Sequence, residues 1–144
     1  MNTKSFNIGL LRFSKEFYDA ASKLRGNEEI LSQTPVYYLY AHSIELAMKA
    51  YLVTEGYSEK ELRKIGHDLK KTWDEAKALN ITSHMNNSQE LEETIYIISP
   101  YYEAKELEYI VEGYKQLPQI IHLHNSAKQL IDIIGRLIHS HITT

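Results

Sequence analysis

Apolar residues recur every three or four positions along most of this chain, the spacing of one buried face on each of a series of helices. From Ser5 to Leu24 that face is marked by Phe6, Leu10, Phe13, Phe17 and Ala20/Ala21, and Arg25-Gly26-Asn27 ends it. Thr34-Pro35 reads as a cap followed by proline at the first helical position, and it opens a second helix that stops at Gly56. Ser58 and Glu61 have the spacing of a capping box and predict a short helix ending at Gly66. His67-Asp68 then starts a helix whose buried stripe is Leu69, Trp73, Ala76 and Leu79. After a polar break from Asn80 to Asn87, helix resumes at Ser88, and Ser99-Pro100 is expected to start another. Leu107 to Pro118, with Tyr, Ile, Val and an internal glycine, reads as an irregular or partly extended connection. A long last helix follows from Pro118, with Ile121, Leu130, Ile131, Ile134 and Leu137 as its apolar positions. The expected fold is all-α: one domain over residues 1–144, an up-and-down bundle of four to five main helices plus one or two short ones.

Composition narrows the function classes. The chain of 144 residues is 43% hydrophobic and 24% charged, ordinary for a globular protein, and it has no cysteine, hence no disulfide framework or thiolate chemistry. No apolar run approaches the ~20 residues that cross a bilayer, and the N-terminal MNTKSFNIGLLRFSKEF mixes charge too early for a signal peptide. A cytoplasmic protein without a membrane partner is expected. Net charge is −3, which does not favour nucleic acid in bulk, but residues 1–79 carry +1 and residues 80–144 carry −4. Lys60, Arg63, Lys64, Lys70 and Lys71 concentrate positive charge in one segment, the expected landing place for any polyanion.

The second helix carries an anomaly. Within its apolar sequence, Tyr38, His42, Glu45 and Lys49 step by four, three and four residues and so form one polar stripe. Glu45 and Lys49 stand in the favourable i, i+4 order. The stripe reads first as an ion pair locking helix packing, joined by Arg12 or His67, and second as the lining of a ligand pocket. Tyr38, His42, Glu45, Lys49, His67 and Asp68 are therefore the candidate ligand-binding residues.

AHSIELAMKAYLVTEGYS, followed after a short helix by IGHDL, resembles the HEPN family, the higher-eukaryote and prokaryote nucleotide-binding domain. EYIVEGYKQLP is similar to the aromatic-and-proline connection before that family's last helix, so the likeness spans residues 36–118. It implies an antiparallel helical bundle that pairs as a homodimer. It also implies one of three activities: a metal-independent ribonuclease, a toxin paired with an antitoxin-like protein, or a non-catalytic module binding nucleotide, RNA or protein in a defence or stress system.

Catalytic members carry an arginine followed after a short spacer by a histidine, one handling the proton and the other stabilising the phosphorane. Arg136 and His141, with four residues between them, have that spacing, and Arg63 and His67 fall one position short. With four arginines and seven histidines in the chain, about 0.6 such matches arise by chance. Residues five apart on a helix also point about 140° apart, so the pair does not share a face. Matching Leu137-Ile138-His139 to the family's ending puts His139 in the histidine's place but leaves Ile134 where the arginine belongs. The catalytic signature is damaged in either register, and a binding module is the leading expectation over an endoribonuclease.

No cofactor or metal is expected. His122/His124 and His139/His141 are pairs two residues apart, which point about 200° apart on a helix and cannot chelate one ion. The glycines mostly terminate helices and form no phosphate loop. The eleven tyrosines fit bundle cores or dimer seams, and secondarily stacking platforms for bases.

Overall fold

The computed structural model describes the backbone of residues 3–30, 32–107 and 116–143, and side chains over 5–30, 32–107 and 116–140. Every regular element among them is helical: α1 (Thr3–Leu24), α2 (Thr34–Thr54), α3 (Glu59–Ile65), α4 (Leu69–Ala78), α5 (Gln89–Glu103) and α6 (Ile120–Thr143), with a 3-10 turn at Ile81–His84. No described helix is long and apolar enough to cross a membrane.

α2 is the centre. Val36, Tyr40, Ala41, Ile44, Ala47, Met48, Ala50, Tyr51, Leu52 and Val53 are all buried, and they cover nearly its whole circumference. A helix apolar on all sides is stable only when other elements surround it. α1, α4, α5 and α6 do so. α1 lies antiparallel to α2: Asn7 donates to Thr54 (3.0 Å), Ser14 faces Ser43, and Ser22 faces the Tyr40 hydroxyl (3.2 Å). α3 doubles back along α2, bringing Gly66 beside Lys49. α4 then runs away again, so that Tyr51 reaches the Leu79 carbonyl near its end. α5 returns antiparallel to α4, pairing Lys70 with Ser99 and Lys77 with Glu92. α6 reverses once more, with His122 against Glu90 and Gln129 against Asn87.

The predicted helices form, with four corrections. Ser99-Pro100 does not start a helix, because α5 runs through it to Glu103. Ser99 still caps, but for another helix: its buried hydroxyl accepts from Lys70 N–H (3.0 Å) in the first turn of α4. Pro100 faces solvent, which reduces the cost of the backbone bond it removes. Second, α2 is capped by neither Thr34 nor a side chain; Gln33 is the capping position, and Thr34 lies within the helix.

Third, the buried line of α1 is Leu11, Ser14 and Ala21, while Phe13 is 46% exposed. Ser14 and Ser43 exchange reciprocal hydroxyl-to-carbonyl bonds (2.7 and 2.8 Å), so a small polar residue sits where the backbones of α1 and α2 are bridged. Fourth, α6 begins at Ile120 and Ile121 is 42% exposed; Leu123, Ala127, Leu130, Ile134 and Ile138 take the core positions. Of the connection from Leu107 to Pro118, residues 108–115 lie outside the described residues. Leu107 is buried, and the Pro118 carbonyl accepts from the Tyr37 hydroxyl (2.8 Å).

Candidate functional site

The polar stripe of α2 converges on one carboxylate. Glu45 is only 2% exposed, and three side chains donate to it. Lys49 Nζ meets Oε2 at 2.7 Å, and Oε1 receives the Tyr102 hydroxyl at 2.6 Å and His67 Nδ1 at 2.9 Å. Burial alone would push the Glu45 carboxyl up. The Lys49 ammonium and the hydrogen bonds from Lys49, Tyr102 and His67 outweigh it and hold the carboxyl below its ordinary value. The site is thus an ionised carboxylate that can only accept, so His67 Nδ1 carries the proton it shares with Oε1.

Tyr102 has a single hydroxyl proton and gives it to Glu45. His42 Nδ1, 2.6 Å from the same oxygen, must therefore donate to it. The result is a directed chain from His42 through Tyr102 to Glu45. Aromatic contacts fix its outer end: the Tyr38 ring stacks on His42 (5.7 Å, 8°), and the Phe17 ring meets it edge-on at 4.5 Å.

Lys49 does a second job. Its ammonium also donates to the Gly66 carbonyl at 2.8 Å. Gly66 has φ +66° and ψ −136°, a conformation that a side chain would strain, and this turn directs its carbonyl at α2. Lys49–Gly66 and Glu45–His67 together form a two-point clasp between the middle of α2 and the turn joining α3 to α4.

Five of the six predicted ligand residues (Tyr38, His42, Glu45, Lys49 and His67) thus come together. Asp68 does not join them: its carboxylate caps α4, accepting from Lys71 N–H at 3.0 Å. Arg12 is not the third partner of the ion pair either, since its guanidinium lies over the Phe13 ring. Tyr102 is the member that sequence reasoning missed. It lies 57 residues from Glu45, inside the Ser-Pro-Tyr-Tyr segment expected to begin a helix.

A cleft of about 330 Å³ opens beside this cluster between α1, α2 and α3. Phe6, Leu10, Leu46 and Leu62 form its apolar wall, and Glu45, Lys49, Glu59, Arg63, Gly66 and His67 its polar side. The five basic residues from Lys60 to Lys71 are all exposed, although Arg63 is paired with Glu59 (2.8 Å) and Lys70 with Asp74 (3.4 Å).

The C-terminal candidates fall elsewhere. Arg136 and His141 lie on one continuous helix, and Arg136 is exposed beside a small cleft that it shares with His84, Asn86 and Gln129. The side chain of His141 lies outside the described residues, and His139 is exposed. The His122/His124 pair on α6 diverges: His122 bonds Glu90 (2.7 Å), whereas His124 Nδ1 meets the Tyr40 hydroxyl (2.8 Å) and Nε2 the Tyr18 hydroxyl (3.3 Å). Burial, with Arg25 and Lys128 nearby, pushes His124 below its ordinary pKa, so the neutral ring is favoured where α1, α2 and α6 meet. Among the described residues, no three His, Asp or Glu side chains gather as metal ligands would.

No protein-family model, curated protein or solved structure matches this chain.

Proposed function

We propose that this protein is a HEPN-like helical bundle acting as a dimeric binding or interaction module in the cytoplasm, its partner a nucleotide, RNA or a second protein of a defence or stress system. The observation that carries the reading is the clasp. The two motifs on which the resemblance rests, His-Glu-Lys on α2 and Gly-His-Asp-Leu after α3, meet through Lys49–Gly66 and Glu45–His67. Two motifs separated along the chain thus form one unit in which their polar groups satisfy one another. The same bonds make the stripe structural first, because the buried Glu45 carboxylate already has three donors.

Cleavage is not part of the proposal. Arg136 and His141 stand five residues apart on an uninterrupted helix, which turns them about 140° from each other. The module is tested by sedimentation equilibrium together with titration of a short RNA and of AMP at two salt concentrations. A dimer that binds either ligand without consuming it is expected. RNA affinity should fall steeply with salt if the exposed bases of α3 and α4 contact phosphate. A monomer that binds neither would refute the reading.

A further inference from the structure

We infer that the groove between α6 and the turn leading into α5 binds an extended segment of a partner protein and grips its main chain. The groove shares no lining residue with the cleft beside the clasp. Its occupant is thus a separate matter from RNA or nucleotide binding, and failure of one leaves the other standing.

The starting observation is a buried hydroxyl left over. Ser126 on α6 is 2% exposed and lines a cleft of about 250 Å³, yet its hydroxyl has no hydrogen-bond partner among the described residues. Other buried hydroxyls bond their own helix: Thr72 donates to the Asp68 carbonyl and Thr94 to the Glu90 carbonyl, each four residues earlier (2.7 and 2.8 Å). An unpartnered hydroxyl at such burial destabilises the fold unless a group from outside bonds it.

The neighbours specify what that group belongs to. Asn86 and Asn125 line the same cleft, and their carboxamides also have no partner among the described residues. A carboxamide offers a donor and an acceptor side by side, the pair that a peptide unit presents. Two adjacent carboxamides already bond main chain in this way: Gln129 donates to the Asn87 carbonyl (3.1 Å), and Asn87 Oδ1 accepts from the Gln89 N–H (3.0 Å). Asn86 and Asn125 bring the same chemistry to the groove with no protein group to satisfy it.

Charge and length decide between a peptide and other polar chains. No lysine or arginine lines this cleft, and its one carboxylate, Glu90, is held by His122 at 2.7 Å, so a phosphodiester finds no counter-charge there. Asn86 and Gln129 also line an adjoining cleft of about 170 Å³ that reaches Ile133 and Arg136. Asn125 and Arg136 are eleven residues apart on α6. At 1.5 Å per residue that is about 16 Å, enough for about five residues of extended chain at ~3.3 Å each. Leu91 in one cleft, and Met85 with Ile133 in the other, give apolar contacts for its side chains.

The test is a two-dimensional ¹H–¹⁵N NMR titration of the full chain with three capped, uncharged pentapeptides of different sequence, a backbone N-methylated form of one of them, and maltose. Because the main chain is what is read, all three peptides are expected to shift the amides of residues 84–91 and 125–136 saturably at millimolar concentration. The N-methylated peptide lacks the N–H donors and should bind roughly fivefold more weakly, and maltose should leave the amides unmoved. Ser126→Ala should weaken the peptides by about the same factor while its urea midpoint equals that of the wild type or rises, since the hydroxyl serves no contact in the fold. Asn125→Ala, at an exposed residue, should weaken them similarly. Five results overturn the inference: no saturable shift with any of the three peptides, undiminished binding of the N-methylated form, equal binding of maltose, an unchanged peptide affinity in either variant, or a lowered urea midpoint in Ser126→Ala.

Discussion

Consider Glu45→Gln, which keeps the shape of the side chain and removes its charge. In the folded protein Lys49 is 9% exposed and 2.7 Å from the carboxylate. At an effective dielectric of about 20 the attraction at that distance is roughly 6 kcal/mol, largely offset by the several kcal/mol per ion needed to dehydrate both groups. The pair as a whole is therefore close to neutral, but either half alone is not. Glu45→Gln leaves a buried ammonium facing an amide, and Lys49→Met leaves a buried carboxylate with only Tyr102 and His67 as donors; each should cost about 3–5 kcal/mol. For a domain whose total stability is about 5–15 kcal/mol, either variant unfolds far more readily, with a midpoint roughly 10 °C lower. The double variant removes both charges at once and should cost about 2–3 kcal/mol less than the sum of the singles.

The assay is urea denaturation of the four proteins at pH 7, repeated down to pH 3. The pH arm has a definite sign. Because the folded carboxyl titrates below its ordinary value of 4.5, its contribution is complete above that value. It is lost as pH falls through the folded pKa, since the unfolded chain takes up the proton first. Wild type and Glu45→Gln should therefore converge as pH drops towards 3. Additive single and double variants, or a gap that does not narrow in acid, would refute the account of Glu45 as a buried, multiply bonded anion.

Three further outcomes follow from other contacts. Tyr102→Phe deletes the hydroxyl that links Glu45 to His42 and should destabilise by about 1–3 kcal/mol in the same urea assay, with the helical circular dichroism unchanged. His124 is held below its ordinary pKa of 6.5, so the unfolded state binds its proton first and stability is lost as pH falls below that value. His124→Gln should accordingly show a smaller drop in urea midpoint between pH 7 and pH 5 than wild type does. Pro100 is exposed within α5 and withholds a backbone donor from the turn before it; Pro100→Ala should raise the thermal midpoint, and a lowered one would mean that the proline shapes α5 usefully.

The helices were legible because their apolar periodicity and their glycines agree. The capping box at Ser58 and Glu61 forms as its spacing predicts, with bonds of 3.0 and 3.1 Å. What misled was chemistry that acts between elements. Choosing α1's inner face by size favoured Phe13 over Ser14, yet small polar side chains can bridge two helix backbones, as the Ser14–Ser43 exchange does. Ser99-Pro100 has the local signature of a helix start, but Ser99's partner is on α4, which no local rule detects.

The site divides the same way. His42, Glu45 and Lys49 share a stripe because their spacing is helical, and that much is arithmetic. Tyr102 closes the cluster from α5, and only the packing of α5 on α2 brings it there. Asp68 looked like part of the site because it adjoins His67 in sequence. Its carboxylate instead accepts from the Lys71 N–H in the first turn of α4.

The central claim, a binding module without nuclease chemistry, is tested most directly by incubating RNA with the purified protein in EDTA beside Arg136→Ala and His141→Ala. Intact RNA in all three reactions is the predicted result. Cleavage by the wild type that both substitutions abolish, while both variants stay folded, would contradict it and make the C-terminal pair a ribonuclease site.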